Sequence, residues 1–250
     1  LGRIVFGHGS YEQDVMAYAI ELAEQSLGRS PLLRDRTFVD IGANIGTSTV
    51  PALKVFKAAD GIAFEPGRIN YNLLRCNLIS NDLDERVKTI PVALSDRTGP
   101  GILEQAKGGG DHRVRMMTHL PDGIHRESSR ATAAVQLSRF DDMVVDLPID
   151  LGRVGLVWMD TQGHEGHILA GARSFLDTEI PVVIEYWPYG LRRAGGLTLL
   201  HELIATNYES VIDVRASMAC SAVVDLPASQ IASLVDRYGG ESYTDLLLLS

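Results

Sequence analysis

Little in this chain suits an extracellular, membrane-spanning or polyanion-binding protein. Its 250 residues include two cysteines, Cys76 and Cys220, too few for a disulfide framework. That points to a reducing compartment. No apolar run approaches the roughly 18 residues that a membrane-spanning helix needs. No signal-like segment stands at the amino terminus, so the expected location is the cytoplasm. Basic residues are outnumbered: 23 Lys and Arg against 32 Asp and Glu give a net charge of −9. That balance argues against a broad phosphate-binding surface and against a nucleic-acid partner. Internal repeats and low-complexity tracts are absent. No exposed heptad pattern speaks to oligomeric state. The rest is ordinary for a globular protein, 45% hydrophobic and 22% charged, and long enough to bury a sizeable core.

The informative stretch is Thr37-Phe-Val-Asp-Ile-Gly-Ala-Asn-Ile-Gly46, followed by Ala63-Phe-Glu-Pro66. An apolar strand ends in an acid, turns through glycines and enters a helix; a second strand then ends in Glu65. This order builds a nucleoside crevice in an α/β sheet. Gly42 and Gly46 are spaced G-x-x-x-G, not the G-x-G-x-x-G of dinucleotide binders. Asp40 at the strand end would oppose a phosphate and favour an ammonium. Glu65 follows Asp40 at about the offset where an acid meets ribose hydroxyls. These details favour S-adenosylmethionine over a dinucleotide.

Elements alternate around this motif. A helix is expected from Ser10 to about Ser26, with Ser10 and Gln13 as a capping box and Gly28 as its stop. Strands are expected at 37–41, 61–65 and 87–94, with helices at 46–56 and 68–80 between them. Pro51 would kink the first of those helices. Residues 97–130 lack a sustained apolar period, and Gly108, Gly109 and Gly110 suggest mobility. That stretch reads as a lid or insertion. Regular order returns with strands at 155–160, 181–186, 208–213 and 243–249, and helices at 165–176, 198–206 and 227–238. The expected organisation is an N-terminal helical segment, 1–36, and one domain, 37–250, carrying the lid.

Val39-Asp-Ile-Gly-Ala-Asn-Ile-Gly46, Phe64-Glu-Pro66, Ala93-Leu-Ser-Asp96, Met159-Asp-Thr-Gln-Gly-His-Glu165, Leu169-Ala-Gly-Ala172 and Val183-Ile-Glu185 stand in one order. In this the chain resembles the FkbM-type methyltransferases, from about Phe38 to Tyr186. The resemblance implies an α/β, Rossmann-like class I methyltransferase fold. Its sheet would be seven-stranded and mostly parallel, with helices on both faces and one reversed strand near the carboxyl end, for which Tyr243–Leu249 is a candidate. It implies O-methylation of a hydroxyl on a small molecule, natural product or sugar, with S-adenosyl-L-methionine as donor. By the resemblance, Asp40, Gly42, Asn44 and Gly46 would hold the methionine end and Glu65 the ribose. Leu94 and Ser95 would border the adenine, and Asp160 would lie beneath the transferred methyl. His164 and Trp158 depart from the residues common in the family at those positions.

An alcohol acceptor must lose a proton as the methyl arrives. His164, His112, Asp160 and Glu165 are the candidate bases. His164 stands in the loop leaving a strand's carboxyl end, where open α/β sheets bind ligands. His112 lies in the lid. Glu165 could instead open a helix, where a carboxylate complements the dipole. A divalent metal held by Asp160, Asp141 and Asp142 is the weaker alternative, since the latter two look like first-turn helix acids, and no metal ligands are assigned. Tyr186, Trp187 and Tyr189 could wall an acceptor pocket. Arg192 and Arg193 could meet an acidic acceptor, and Met116 and Met117 could touch it. Two other readings differ in class. A nicotinamide-linked oxidoreductase lacks its third glycine and a Tyr-x-x-x-Lys pair here. A cofactor-binding module without catalysis would have less need of Asp40, Glu65 and Asp160 together.

Overall fold

The strands of the computed structural model, in chain order, are Thr37–Ile41 (β1), Asp60–Phe64 (β2), Val87–Ile90 (β3), Ala93–Leu94 (β4), Gly99–Gln105 (β5) and Arg113–Arg115 (β6). Ala131–Ser138 (β7), Val154–Met159 (β8), Val182–Tyr186 (β9), Ser210–Asp213 (β10), Asp225–Pro227 (β11) and Thr244–Leu249 (β12) follow. The structure describes residues 12–106, 110, 112–115, 123–125, 127–147 and 149–250. Ser10, Gly108, Gly109, Met116 and Met117 lie outside that set. Among the described residues, no helix is long and apolar enough to cross a membrane.

Eight strands form one sheet in the order β11-β10-β12-β9-β8-β1-β2-β3. From β9 to β3 neighbouring strands run parallel. β12 runs antiparallel to both β9 and β10. The sheet is thus the expected seven strands with one reversed, extended by the short edge strand β11, antiparallel to β10. Strands β1, β8, β9 and β12 are buried throughout, because both faces are covered.

Alternation along these strands sorts the core into two layers. Val39, Ile41, Val157, Met159, Ile184, Leu246 and Leu248 join one layer. Phe38, Leu156, Trp158, Val183, Leu247 and Leu249 join the other, together with Val15, Met16, Ala19 and Ile20 of the helix Gln13–Leu27. Gly28 ends that helix at φ 60°, its N–H donating to the Glu24 carbonyl. By the same alternation, Asp40, Glu65, Asp160, Glu185 and Asp245 fall on the second face, at one end of the sheet. Asp245 stands directly opposite Glu185 in the antiparallel register, a like-charge pairing that destabilises a sheet. Arg215 counters it. Its Nε donates to Asp245 Oδ2 at 2.5 Å, and its guanidinium also bonds Glu12 and lies over the Tyr243 ring.

Several elements differ from the sequence reading. The strand expected at 87–94 breaks at Pro91, which has no N–H for the ladder, so Ala93–Leu94 passes to a second sheet. That sheet runs β4-β7-β5-β6 and includes much of the stretch expected to be an irregular lid. Its Gly-Pro-Gly start dilutes the apolar period, yet Ala93, Leu103, Val114 and Leu137 make a small core of their own. The helix expected at 46–56 is only Thr49–Lys54, with Pro51 in its first turn, where a missing N–H costs little. The helix expected at 227–238 is a 3₁₀ turn, Ala228–Ser233, followed by Leu234–Arg237. An unforeseen helix, Val214–Cys220, is capped by Asp213, which accepts from the Ala216 N–H at 3.0 Å.

Arg215→Ala should lower the unfolding free energy by about 3 kcal/mol, the low end for breaking a buried ion pair, because the guanidinium is partly exposed. A urea melt at pH 8 checks this. Adding Asp245→Leu should restore most of the loss. A single variant that melts like the parent would show that Arg215 is not what permits the Glu185–Asp245 apposition.

Candidate active site

The loop after β1 takes three left-handed turns in five residues: Gly42 at φ 88°, Asn44 at 52° and Gly46 at 92°. A Cβ at Gly42 would lie 2.0 Å from the Asp160 carbonyl oxygen, so only glycine lets this loop cross the end of β8. At Gly46 a Cβ would lie 3.0 Å from Leu74, so that glycine serves packing against the helix Arg68–Ser80. Asp40 turns its carboxylate under the loop. Its Oδ2 accepts from Ser48 Oγ at 2.6 Å and from Thr49 Oγ1, which ties the strand end to the next helix. Its buried Oδ1 has no partner among the described residues. Burial pushes the Asp40 carboxyl up to about 6, against those two hydroxyls.

Glu65 is held by backbone. Its Oε2 accepts from the Asn44 N–H at 2.9 Å and its Oε1 from the Gly67 N–H at 2.6 Å. Burial nevertheless pushes its carboxyl up to about 7. Both oxygens keep lone pairs for further donors. Glu65 faces a cleft of about 570 Å³ that Gly42, Asn44, Leu94, His112, Asp160 and His164 also line, with Phe64 and Ile168 adding apolar wall. A carboxylate for vicinal hydroxyls beside an apolar slot for a flat ring could hold a nucleoside. Ser95 is buried beside it, its Oγ 3.0 Å from His164 Nε2. His112 Nδ1 lies 3.4 Å from Asn70 Nδ2, on the Glu65 side of the cleft.

Asp160 divides this cleft from a second one, of about 510 Å³, lined by Glu12, Met16, Thr47, Ser48 and Trp158. Gly42, Asn44 and Asp160 line both. Gln162, itself left-handed at φ 59°, joins Asp160 to Glu185. Its Nε2 donates to Asp160 Oδ1 at 2.8 Å and to Glu185 Oε1 at 3.1 Å. The two carboxylates therefore stand within about 6 Å of each other. Two full charges there would repel by roughly 3 kcal/mol at an effective dielectric of 20. Burial raises the pKa of both, and the Asp160 charge raises Glu185 further. The sequence assigns no role to Gln162, and Glu185 enters there only within the Val183-Ile-Glu185 block. The signal for them was the pair of acids ending adjacent strands.

Of the other base candidates, His112 and His164 line the Glu65 cleft with Asp160, and Glu165 does not. His164 is 2% exposed and stacks on His167, with ring centroids 4.9 Å apart. Burial pushes it down to about 3, so it is neutral at physiological pH. Glu165 is fully buried beneath the loop. Its Oε1 accepts from the Thr161 N–H at 2.9 Å, Thr161 Oγ1 at 2.8 Å and the Gly163 N–H at 3.3 Å. Asp141 caps the helix Arg173–Leu176, accepting from the Arg173 and Ser174 N–H groups. Asp142 accepts from Thr98 Oγ1 at 2.9 Å. Neither lines the Asp160 clefts, and among the described residues no three His, Cys, Asp or Glu side chains converge as metal ligands.

Tyr186 is buried and bonds His201 at 2.9 Å. Tyr189 and Arg193 instead hold Glu127, just ahead of β7. Tyr189 donates to Glu127 Oε1 at 2.6 Å, and Arg193 Nε lies 3.2 Å from the same oxygen. Arg113 of β6 lies 3.6 Å from it and stacks over Trp187. The second sheet is thereby pinned to the helix Pro188–Ala194.

Sheet order, reversed strand and loop together define the class I methyltransferase fold. The profile of the methyltransferase FkbM domain matches residues 40–205, well over half of the chain, and the protein belongs to that family. It is similar to the 2-O-methyltransferase NoeI of Sinorhizobium fredii, 26% identical over 159 residues that cover 61% of this chain and 63% of NoeI. It is also similar to the methyltransferase sdnD of Sordaria araneosa, 28% identical over 175 residues that cover 62% of this chain and 68% of sdnD. The crystal structure of an FkbM methyltransferase from Methylobacillus flagellatus shares the fold, with a TM-score of 0.50 at 19% identity, covering 88% of this chain and 46% of that one. The match thus spans under two thirds of NoeI and under half of the solved chain.

The raised carboxyls set the sign of a pH effect. A group whose pKa is higher folded than unfolded stabilises the fold at low pH and loses that contribution as pH rises through its folded value. Glu65, Asp160 and Glu185 are such groups, with unfolded values near 4. His164 has the opposite sign but titrates only below about pH 6.5. The ligand-free protein should therefore lose melting temperature as pH rises from about 4 to about 8, with the single His164 proton offsetting only part of the loss below about pH 6.5. Asp160→Asn should flatten that decline, as measured by differential scanning calorimetry across the range. An equal slope in the variant would remove Asp160 from the set.

Proposed function

We propose that the protein transfers a methyl group from S-adenosylmethionine to a hydroxyl oxygen of a small molecule or glycoside. The observation that carries this reading is Asp160, which stands where the Glu65 cleft meets the second cleft. When bound, S-adenosylmethionine supplies a methyl group activated by a positively charged sulfur. Glu65 accepts two ribose hydroxyls, oriented by the Asn44 and Gly67 N–H groups. Phe64, Leu94 and Ile168 border the adenine. Gly42 and Asn44 bring backbone against the chain of the donor, and Asp40 fixes their loop from below. Holding acceptor oxygen, carbon and sulfur in line can supply about 7–11 kcal/mol of barrier reduction. Family membership supports the reaction type, and the similarity to the 2-O-methyltransferase NoeI supports a hydroxyl acceptor.

Asp160 takes the acceptor proton in this reading. A base works best with a pKa near the working pH, where it contributes roughly 10²–10⁴-fold. The raised Asp160 carboxyl meets that condition. The His164 imidazole, at about 3, does not. His164 instead orders Ser95 at the wall of the cleft.

Calorimetric titration with S-adenosylhomocysteine and with NAD is the primary test. The former should bind and the latter should not. Glu65→Ala should weaken S-adenosylhomocysteine binding about tenfold or more through lost charged hydrogen bonds. Binding of NAD alone would overturn the reading. With methyl-labelled donor and a panel of glycosides and hydroxylated small molecules, Asp160→Asn should lower turnover about 10²-fold or more. His164→Ala should stay within a few-fold of the parent. The reverse ranking would return the base role to His164.

A further inference from the structure

The mechanism above uses Asp160 and leaves Glu185 and Gln162 without a task. Glu185 is 9% exposed, and its buried Oε2 has no partner among the described residues. Gln162 spends both hydrogens of one amide nitrogen on the two carboxylates. A buried carboxylate oxygen that no donor meets is costly when charged. The surroundings add no relief. Glu165 spends Oε1 on the loop above, Asp245 and Glu12 are taken up by Arg215, and Tyr243 packs under that guanidinium. One proton carried by either Asp160 or Glu185 resolves the arrangement, since one carboxyl then stays neutral. Asp160 also lines both clefts, so whatever charge a ligand places at their junction acts on this pair first.

We propose that Asp160 and Glu185, joined by Gln162, form a shared-proton site that gives up its proton when a sulfonium cofactor binds and regains one from the acceptor hydroxyl. This rests on the methyl-transfer reading. The cofactor's positive sulfur replaces the shared proton as the charge that offsets the second carboxylate. During transfer the oxygen–methyl bond forms and the carbon–sulfur bond breaks, with the electron pair staying on sulfur. The hydroxyl proton passes to the pair. The neutral thioether product then leaves a site with the same protonation as the empty protein. Glu185 and Gln162 are positioning residues here, acting through Asp160. The pair distinguishes the charged donor from its product by one proton.

The test is calorimetric titration of the full chain at pH 7 with S-adenosylmethionine and, separately, S-adenosylhomocysteine. Each is run in three buffers of different ionisation enthalpy, so that the slope counts the protons exchanged. Close to one proton more should be released with S-adenosylmethionine than with S-adenosylhomocysteine. S-adenosylmethionine affinity should rise by up to tenfold per pH unit where the pair is protonated, while that of S-adenosylhomocysteine stays flat. In Glu185→Gln the excess proton should disappear while S-adenosylhomocysteine still binds; comparison with the parent cancels protons carried by the ligands' own amines. Asp160→Asn should behave in the same way. Equal proton counts for the two ligands in the parent, or an unchanged excess in Glu185→Gln, would overturn the shared-proton site. Binding of neither ligand would overturn the cofactor reading beneath it, a result distinguishable from both.

Discussion

The structure depends on a row of carboxylates crowded at one end of a buried sheet. The pleat sets Asp40, Glu65, Asp160, Glu185 and Asp245 on a single face, and the parallel order brings their strands side by side. Repulsion and desolvation would together undo such a row if it were left bare. Each member is met by a different device. Asp40 takes two hydroxyls, Glu65 two backbone N–H groups, and Asp160 and Glu185 one shared amide. Asp245 takes a guanidinium. Only the last device brings a formal positive charge. The site therefore remains electron-rich and undersupplied with donors, a condition suited to a positively charged ligand.

The remaining architecture keeps that row dry at its edges and open at its centre. The helix Gln13–Leu27 lies over the shared apolar layer, and Glu12 at its start borders the second cleft. The loop 161–163 is drawn down by Glu165 and pressed against the helix Pro188–Ala194, where a Cβ on Gly163 would sit 2.3 Å from the Gly190 carbonyl carbon. Gln162 is thus aimed by backbone on both sides. Its amide reaches both carboxylates from that backbone.

Much of the central sheet was legible in sequence because its strands are short apolar runs closed by acids or glycines. Val39 to Gly46 and Ala63 to Glu65 carried the cleft in their order alone. Less was legible where two constraints compete. Pro91 divides an apolar run between two sheets, and Gly99-Pro-Gly101 conceals the start of a strand whose first three residues pair with Leu137, Gln136 and Val135, far along the chain. The strand-end position of Glu65 was legible, and its carboxylate lines the cleft. Asp40 is the same type of acid at a strand end, yet its carboxylate turns inward to Ser48 and Thr49. His164 stands in a strand-end loop, where histidine often serves as a base; its burial and its contact with Ser95 are features no local pattern displays. The apposition of Glu185 and Asp245 is a matter of register and could not be read before the strands were paired.

Glu127 fastens the second sheet to the body through Tyr189, Arg193 and Arg113. Its position, immediately before β7, makes it a clasp at the far end of a detour that begins at β5. Of the described residues between those points, Gly110 and His112 line the Glu65 cleft. A clasp outside the central sheet thus helps to set one wall of the site.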